Sequence, residues 1–301
     1  MKTIGFIGTG NMGSALAKAV AAKGTAAFHD EGTSILLANR TPAKAEALAK
    51  ETGGTVCGNK EAAASADYLF LGVKPQMMAD MLNEIAPVLK ARQEHAEKVS
   101  DDGTQAGAGT SAGSTSGSVK GRFVLVTMAA GLTTQRIAEM AGCRCPVIRI
   151  MPNTPAAIGK GVILLSRNDL VTDEEMTDFK NLLSASGILG EIPEHLIDAG
   201  SAVSGCGPAF VYMFIEALAD GGVACGLPRA DAYRYAAQMV AGSAEMVLHG
   251  LPATHPGALK DAVCSPGGTT IQGVRTLEES SFRGAVMDAV IAAYEKTLAL
   301  K

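Results

Sequence analysis

Gly8-Thr9-Gly10-Asn11-Met12-Gly13 follows directly on an apolar strand-like run, Ile4–Ile7, and opens a helix-like run from about Asn11 to Lys23. Three glycines at this spacing between a strand and a helix narrow the folds open to the chain. Gly8 permits the tight turn. Gly10 lets the backbone approach a pyrophosphate, and Gly13 lets helix and strand pack closely. The helix N-terminus then turns its unpaired N–H groups and positive dipole end toward the negative charge. Glycine-rich turns are common. At the first strand–helix junction of an alternating chain, this one reads as a dinucleotide cradle.

The alternation continues. Strands are expected over 34–38 ("SILLA"), 55–57, Tyr68–Val73, Phe123–Met128 and 146–150. Helices are expected over Pro42–Thr52, from Pro75 to about Lys90, and over Thr133–Ala141. This order implies an α/β fold with a parallel, doubly wound sheet and helices on both faces. Residues 161–166, 173–186 and 188–192 extend the pattern as strand, helix and strand. Beyond about residue 195 the chain reads as nearly all helix. The expected division is a Rossmann-type NAD(P)-binding domain over 1–167 and a mainly helical substrate-binding and dimerisation domain over 168–301.

Composition excludes several function classes. The net charge is −4 with no dominant basic patch, which argues against a nucleic-acid partner. No apolar run of the roughly 18 to 20 residues needed for a membrane span is apparent. The chain opens on a strand without a signal-peptide block, so the cytoplasm is the expected location. The six cysteines are scattered and do not cluster with the histidines, so they read as structural or incidental, with no metal expected.

Residues 103–118, "GTQAGAGTSAGSTSGS", offer almost nothing to bury. They are expected to form a disordered excursion within an insertion at about 92–121, between the fourth and fifth strands.

The residues closing the second strand choose between dinucleotides. A carboxylate there would accept a hydrogen bond from the ribose 2′-OH of NAD. The sequence has Asn39-Arg40-Thr41 instead. A guanidinium beside a hydroxyl suits a 2′-phosphate, so NADP is expected, with NADH possible. "GVKPQ", with Val73, Lys74 and Pro75, follows the fourth strand over the ligand crevice. Lys74 is read as bordering the cofactor rather than as a catalytic lysine. "MPNTP" follows another strand end as an extended, rigid loop, with Asn153 and Thr154 as candidates to border the nicotinamide.

The helical half begins with "PAFVYMFIEALADGGVACG", whose first turns are apolar on every side. Such a helix is buried in a core or an interface, and it suggests oligomerisation. Near the other end, "CSPGGTTIQG" (Cys264–Gly273) forms a second glycine turn at a helix N-terminus. From the residues alone two readings stay open: a capped helix–helix turn, or an anion cradle built on Ser265–Thr270.

The chain as a whole resembles the pyrroline-5-carboxylate reductase family. "GFIGTGNMGSALAKA", "GVKPQ", "AAG" (129–131), "RIMPNTP", "SGCGPAF", "EALADGGVACGLPRADA" and "HPGALKDAVCSPGGTTIQG" carry the resemblance in order and spacing. It covers nearly everything outside the insertion, and the last motif is specific to the family. The resemblance implies NAD(P)H-dependent reduction of 1-pyrroline-5-carboxylate to L-proline, the last step of proline biosynthesis. It also implies a homodimer interlocked through the helical domain, and decamers of five dimers. Each active site then lies between one subunit's cofactor domain and its partner's helical domain.

Carried over by position, the substrate loop falls on Ser265, Gly267, Gly268, Thr269 and Thr270, with Thr270 as the proton-donating hydroxyl. Ser201 falls near the substrate, and Asn153 is counted with it. Asn59 falls at the adenosine ribose or its phosphate. Gly8, Thr9, Gly10, Asn11, Met12, Gly13, Asn39, Arg40, Thr41, Val73, Lys74, Pro75, Ala129 and Ala130 complete the cofactor set. Ala262 departs from relatives that carry Asn there, which puts one polar contact in doubt.

Two alternatives remain at this stage. One is an NADP-linked reductase of another cyclic imine or a hydroxy acid. A hydroxy-acid enzyme should carry a buried catalytic Lys or His in the helical domain, and none stands out. The other is a nucleotide-sensing protein without turnover.

Overall fold

A computed structural model describes residues 2–27, 32–101 and 121–299. The chain divides into two units, Met1–Gly205 with Lys296–Lys301, and Cys206–Glu295.

The first unit is built on one eight-stranded sheet: β1 (Thr3–Ile7), β2 (Ser34–Ala38), β3 (Thr55–Val56), β4 (Tyr68–Leu71), β5 (Val124–Thr127), β6 (Val147–Met151), β7 (Gly161–Arg167) and β8 (Gly187–Glu191). Their spatial order is β3-β2-β1-β4-β5-β6-β7-β8. The first six strands are parallel in the 3-2-1-4-5-6 order of a dinucleotide-binding fold. β4, β5 and β6 are buried along their whole length, which is why they read as continuous apolar runs.

Alternate side chains leave the sheet on opposite faces. Phe6 and Phe70 stack on one face at 4.5 Å, and Phe179 lies 5.8 Å from Phe70. Leu69, Leu71 and Leu125 take the other face, with Leu82, Ile85 and Leu89. The helices of this unit are α1 (Asn11–Ala27), α2 (Pro42–Thr52), α3 (Asn59–Ser65), α4 (Met78–Asp101), α5 (Thr134–Ala141), α6 (Asp173–Leu183) and α7 (Ile197–Ser204).

Four expectations need correction. First, the sheet is mixed. β7 runs antiparallel to β6, and β8 runs parallel to β7. The link from β6 to β7 holds only a short 3-10 helix, Thr154–Ile158. A parallel return needs a crossover of a dozen or more residues, so the strand comes back antiparallel. The same 3-10 helix replaces the extended loop expected of "MPNTP".

Second, a domain boundary at 167/168 falls too early. β8 pairs with β7, and Met176, Phe179 and Leu183 of α6 belong to the core of the sheet. The units part at Gly205 and Cys206. Third, α3 went unread because "NKEAAAS" is short, and two of its alanines are its only buried residues.

Fourth, the insertion does not begin at residue 92. α4 continues past Lys90 to Asp101, and the Arg92 side chain is fully buried. Its Nη1 donates to the carbonyls of Ala63 (2.8 Å) and Ala66 (2.7 Å). Nε donates to Gly121 (3.2 Å) and Nη2 to Arg122 (3.0 Å). The guanidinium also stands 4.9 Å from the centre of the Phe123 ring. Arg92 thus satisfies carbonyls at the C-terminal end of α3, where a helix leaves its last acceptors unpaired. Burial lowers its pKa to about 10, which leaves it charged at neutral pH. Residues 103–118, read as the excursion itself, lie outside the described residues.

The second unit holds α8 (Gly207–Ala224), α9 (Arg229–Gly250), α10 (Pro256–Ala262), α11 (Thr269–Glu279) and all but the last turn of α12 (Phe282–Leu298). α8 packs on α9, and Phe214 lies 5.9 Å from Phe282 of α12. Among its described residues only Ala219, Ala232 and Ala236 are fully buried. Tyr212 and Met213 of α8 are 59% and 69% exposed. The apolar helix expected in a core or an interface is therefore uncovered within its own chain. Against the expectation of no such run, Glu194–Ala224 is long and apolar enough to cross a membrane, by length and composition alone.

Candidate active site

The glycine turn closes one side of a cleft of about 660 Å³ at the carboxyl ends of β1, β2 and β4. That is where the strand order reverses direction, the usual ligand crevice of such sheets. The three glycines do different work. Gly8 has φ 99°, and a Cβ there would stand 2.6 Å from the Gly72 carbonyl. A Cβ on Gly13 would stand 2.4 Å from the Gly8 carbonyl oxygen. Gly10 has no atom within 4 Å of its would-be Cβ, so its bareness faces open space in the cleft.

Gly8, Gly10, Asn39, Arg40, Thr41, Asn59, Val73 and Lys74 all line this cleft. Asn11 and Met12 head α1, with Gly13 packed beneath. Two of the expected residues also support each other. The Thr9 N–H donates to Asn39 Oδ1 at 3.1 Å, and Asn39 Nδ2 donates to the Thr41 carbonyl at 2.9 Å. Asn39 therefore braces the glycine turn against the turn after β2. The Thr9 hydroxyl is sealed from solvent without a hydrogen-bond partner, so that side chain does not face the cleft.

Asn59 Nδ2 donates to Glu84 at 2.8 Å. Pro75 opens a short 3-10 helix, Pro75–Met77. Ala129 and Ala130 follow the C-terminal end of β5, with Ala129 buried and Ala130 exposed. Neither lines the cleft.

Sequence reasoning missed Lys44. It lines the cleft with Arg40 and Thr41, on the first turn of α2. Its spacing of four from Arg40 was the available signal. Asp80 and Glu84 of α4 also line the cleft, and nothing in their sequence context points there.

This donor set fits a nucleotide carrying a 2′-phosphate. Arg40 and Lys44 supply two cations, and no carboxylate stands at the end of β2 to accept from a free 2′-OH. The bare backbone at Gly10 and the N-terminus of α1 fit a pyrophosphate.

Asn153 does a different job from the one expected. It is buried, Nδ2 donates to the Ser204 carbonyl (2.9 Å), and Oδ1 accepts from the Val162 N–H (2.9 Å). Both polar ends of its amide pin the β6–β7 link, so it holds that loop to α7. Ser201 lies half-buried on α7.

In the second unit, Ser265–Gly268 forms a tight turn between α10 and α11. Gly268 N–H donates to the Ser265 carbonyl at 3.0 Å, and Gly267 has φ 68°. The N-cap position of α11 is Gly268, which has no side chain to offer the first N–H groups of the helix. Ser265, Thr269 and Thr270 are exposed around that uncapped end. With a glycine at the N-cap, the turn leaves its first N–H groups open to outside acceptors.

Known proteins match the chain over both units. Residues 194–300 match the family model "Pyrroline-5-carboxylate reductase dimerisation", and residues 3–98 match "NADP oxidoreductase coenzyme F420-dependent". The pyrroline-5-carboxylate reductase of Escherichia coli is 39% identical over 297 residues, covering 98% of this chain and 97% of the relative. That of Pisum sativum is 34% identical, covering 98% and 94%. The crystal structure of Plasmodium falciparum pyrroline carboxylate reductase with NADP bound matches with a TM-score of 0.76 at 31% identity, covering 99% of each chain. Fold, cofactor cleft and the near full-length identity to these enzymes agree: the chain belongs to the pyrroline-5-carboxylate reductase family.

Proposed function

We propose that this protein is a pyrroline-5-carboxylate reductase that converts 1-pyrroline-5-carboxylate to L-proline with NADPH. The observation that carries the reading is the pairing of two separate anion cradles in a chain aligned end to end with that family. One is the Gly8–Gly13 turn with Arg40 and Lys44. The other is the uncapped Ser265–Thr270 turn. The first takes the dinucleotide, and the second takes the substrate carboxylate.

NADPH, when bound, supplies the hydride for the imine carbon. The residues of the chain supply position and a proton. Backbone N–H groups at the start of α11 hold the carboxylate through the positive end of that helix. The Thr270 hydroxyl hydrogen-bonds the ring nitrogen and orients it. An imine nitrogen is basic enough that a hydroxyl suffices where a carbonyl would need a stronger acid. Arg40 and Lys44 read the 2′-phosphate. Lys74 offsets phosphate charge from the β4 side. Ala129 and Ala130 approach the nicotinamide end, and Ser201 the substrate.

The protein works as a homo-oligomer. The matched dimerisation model spans the helices that leave their apolar faces uncovered, including α8, which supports a second copy as the cover of the Glu194–Ala224 stretch. In our reading two copies interlock through these helices, dimers assemble into decamers, and the enzyme acts in the cytoplasm. Light scattering on the full chain tests the assembly. A monomer contradicts it.

Cofactor choice provides the test of the nucleotide reading. Arg40→Ala combined with Lys44→Ala should raise KM for NADPH by roughly a hundredfold and leave KM for NADH within about threefold, since two charge-assisted contacts are lost only with the phosphate. Equal effects on both cofactors would remove these residues from 2′-phosphate recognition.

A further inference from the structure

Arg149 stands mid-strand in β6, on the same face as Val147, which packs with Ile137 and Ala141 of α5. Only 1% of the side chain is exposed. Its Nη2 donates to Asp198 Oδ1 at 2.7 Å, and Asp198 is equally buried on the first turn of α7. Nη1 lies 3.8 Å from Glu194 Oε1. Glu194 in turn accepts from the N–H (2.7 Å) and the hydroxyl (2.9 Å) of Thr134, at the start of α5. One guanidinium thus connects the helix that follows the Ala129–Thr133 loop to α7. The Asn153 amide holds the far end of α7 through the Ser204 carbonyl. Between these two anchors lies Ser201.

The network is costly to keep. A buried ion pair gains little over apolar packing of the same volume, because both charges lose their hydration. This pair is also incompletely satisfied, since Arg149 Nε is buried with no hydrogen-bond partner. Leucine or methionine would fill the space without that penalty. What an ion pair adds is direction, because it fixes one helix at one height and rotation.

The C-terminal end of α7 shows what is being fixed. A Cβ on Gly205 would stand 2.9 Å from both the carbonyl oxygen and the hydroxyl of Ser201, so glycine keeps that hydroxyl uncrowded. The neighbouring Ser204 hydroxyl is spent on the Gly200 carbonyl of its own helix at 3.0 Å.

We propose that Arg149, Asp198 and Glu194 form a positioning network that sets α7, and with it the Ser201 hydroxyl, relative to the loop at the nicotinamide end of the sheet. The proposal rests on the reading of the chain as a pyrroline-5-carboxylate reductase with Ser201 at the substrate. Arg149 and Asp198 are positioning residues. They act through α7 and touch neither substrate nor cofactor.

The test is a double-mutant cycle on the full-length protein, followed by NADPH oxidation with 1-pyrroline-5-carboxylate. Asp198→Asn should lower kcat/KM for the imine by about ten- to a hundredfold, the scale of a misplaced contact, with KM for NADPH within twofold. In a Ser201→Ala background the same change should cost nothing further, because the hydroxyl it positions is gone. Asp198→Asn leaves a buried cation short of its partner, so a second variant guards against misfolding. Arg149→Met with Asp198→Leu replaces the pair by apolar volume and should fold, yet show the same loss toward the imine. Losses that multiply with Ser201→Ala overturn the proposal. So do equal losses toward NADPH, or a folded apolar pair with wild-type kinetics. If wild-type protein itself fails to oxidise NADPH with the imine, the functional reading falls and this inference falls with it. That result is distinct from an active wild type with an additive cycle, which removes the inference alone.

Discussion

Gly10→Ala is expected to leave thermal stability unchanged and to weaken NADPH binding by about ten- to a hundredfold, or about 1.4–2.8 kcal/mol. The would-be Cβ meets nothing within 4 Å, so the fold has room for it. The bound pyrophosphate does not, since close backbone approach is what the second glycine of such a turn provides. Gly8→Ala makes the contrast. There the added carbon stands 2.6 Å from the Gly72 carbonyl, and φ is 99°. A left-handed backbone and an overpacked contact each cost about 1–3 kcal/mol, so Gly8→Ala should lower Tm by several degrees as well as abolish binding. Differential scanning calorimetry and nucleotide fluorescence titration separate the two. Tight NADPH binding by Gly10→Ala would mean that the pyrophosphate does not lie on this turn.

Thr270→Ala should lower kcat roughly a hundredfold, the usual contribution of one positioned proton donor, with the Kd for NADPH unchanged. The residue is exposed on the first turn of α11, so truncation costs little stability. Thr270→Ser keeps the hydroxyl and should recover most of the rate. A wild-type kcat in Thr270→Ala would remove the hydroxyl from the mechanism and leave protonation to solvent. Stopped-flow measurement of the hydride step distinguishes slowed chemistry from slowed product release.

Much of the cofactor half was legible because its signals are local. Pro42 at a helix start and Gly53 in a left-handed cap bound α2 at the residues expected. Buried parallel strands announce themselves as apolar runs. Direction and partnership are not local. Nothing within "GVILLS" reveals that β7 runs backwards, since that follows from the length of the link before it. Arg92 reads as the first polar residue of the insertion. Its role depends on carbonyls of α3 and of Gly121 and Arg122, which the fold brings to it.

The site divides in the same way. Gly8, Gly10, Arg40 and Thr41 follow from motif spacing and do line one cleft. Asn153 and Thr9 lie in recognisable motifs, yet the Asn153 amide is tied to the backbone as a brace and the Thr9 hydroxyl is buried. A motif identifies a loop. It does not say which side chains of the loop face the ligand and which hold the loop in place. The second glycine turn shows the complementary limit. Its composition leaves a cap and a cradle equally open, and a glycine at the N-cap of α11 is compatible with both.

In our reading the two glycine turns hold two different anions, a dinucleotide and a small carboxylated imine. Nicotinamide absorbance at 340 nm, followed with the full-length protein, NADPH and 1-pyrroline-5-carboxylate, tests it most directly. The expected result is a saturable loss of absorbance that depends on the imine, yields L-proline, and is faster with NADPH than with NADH. No loss with either cofactor, despite NADPH binding in the same preparation, would contradict it and leave a nucleotide-binding protein without this reaction.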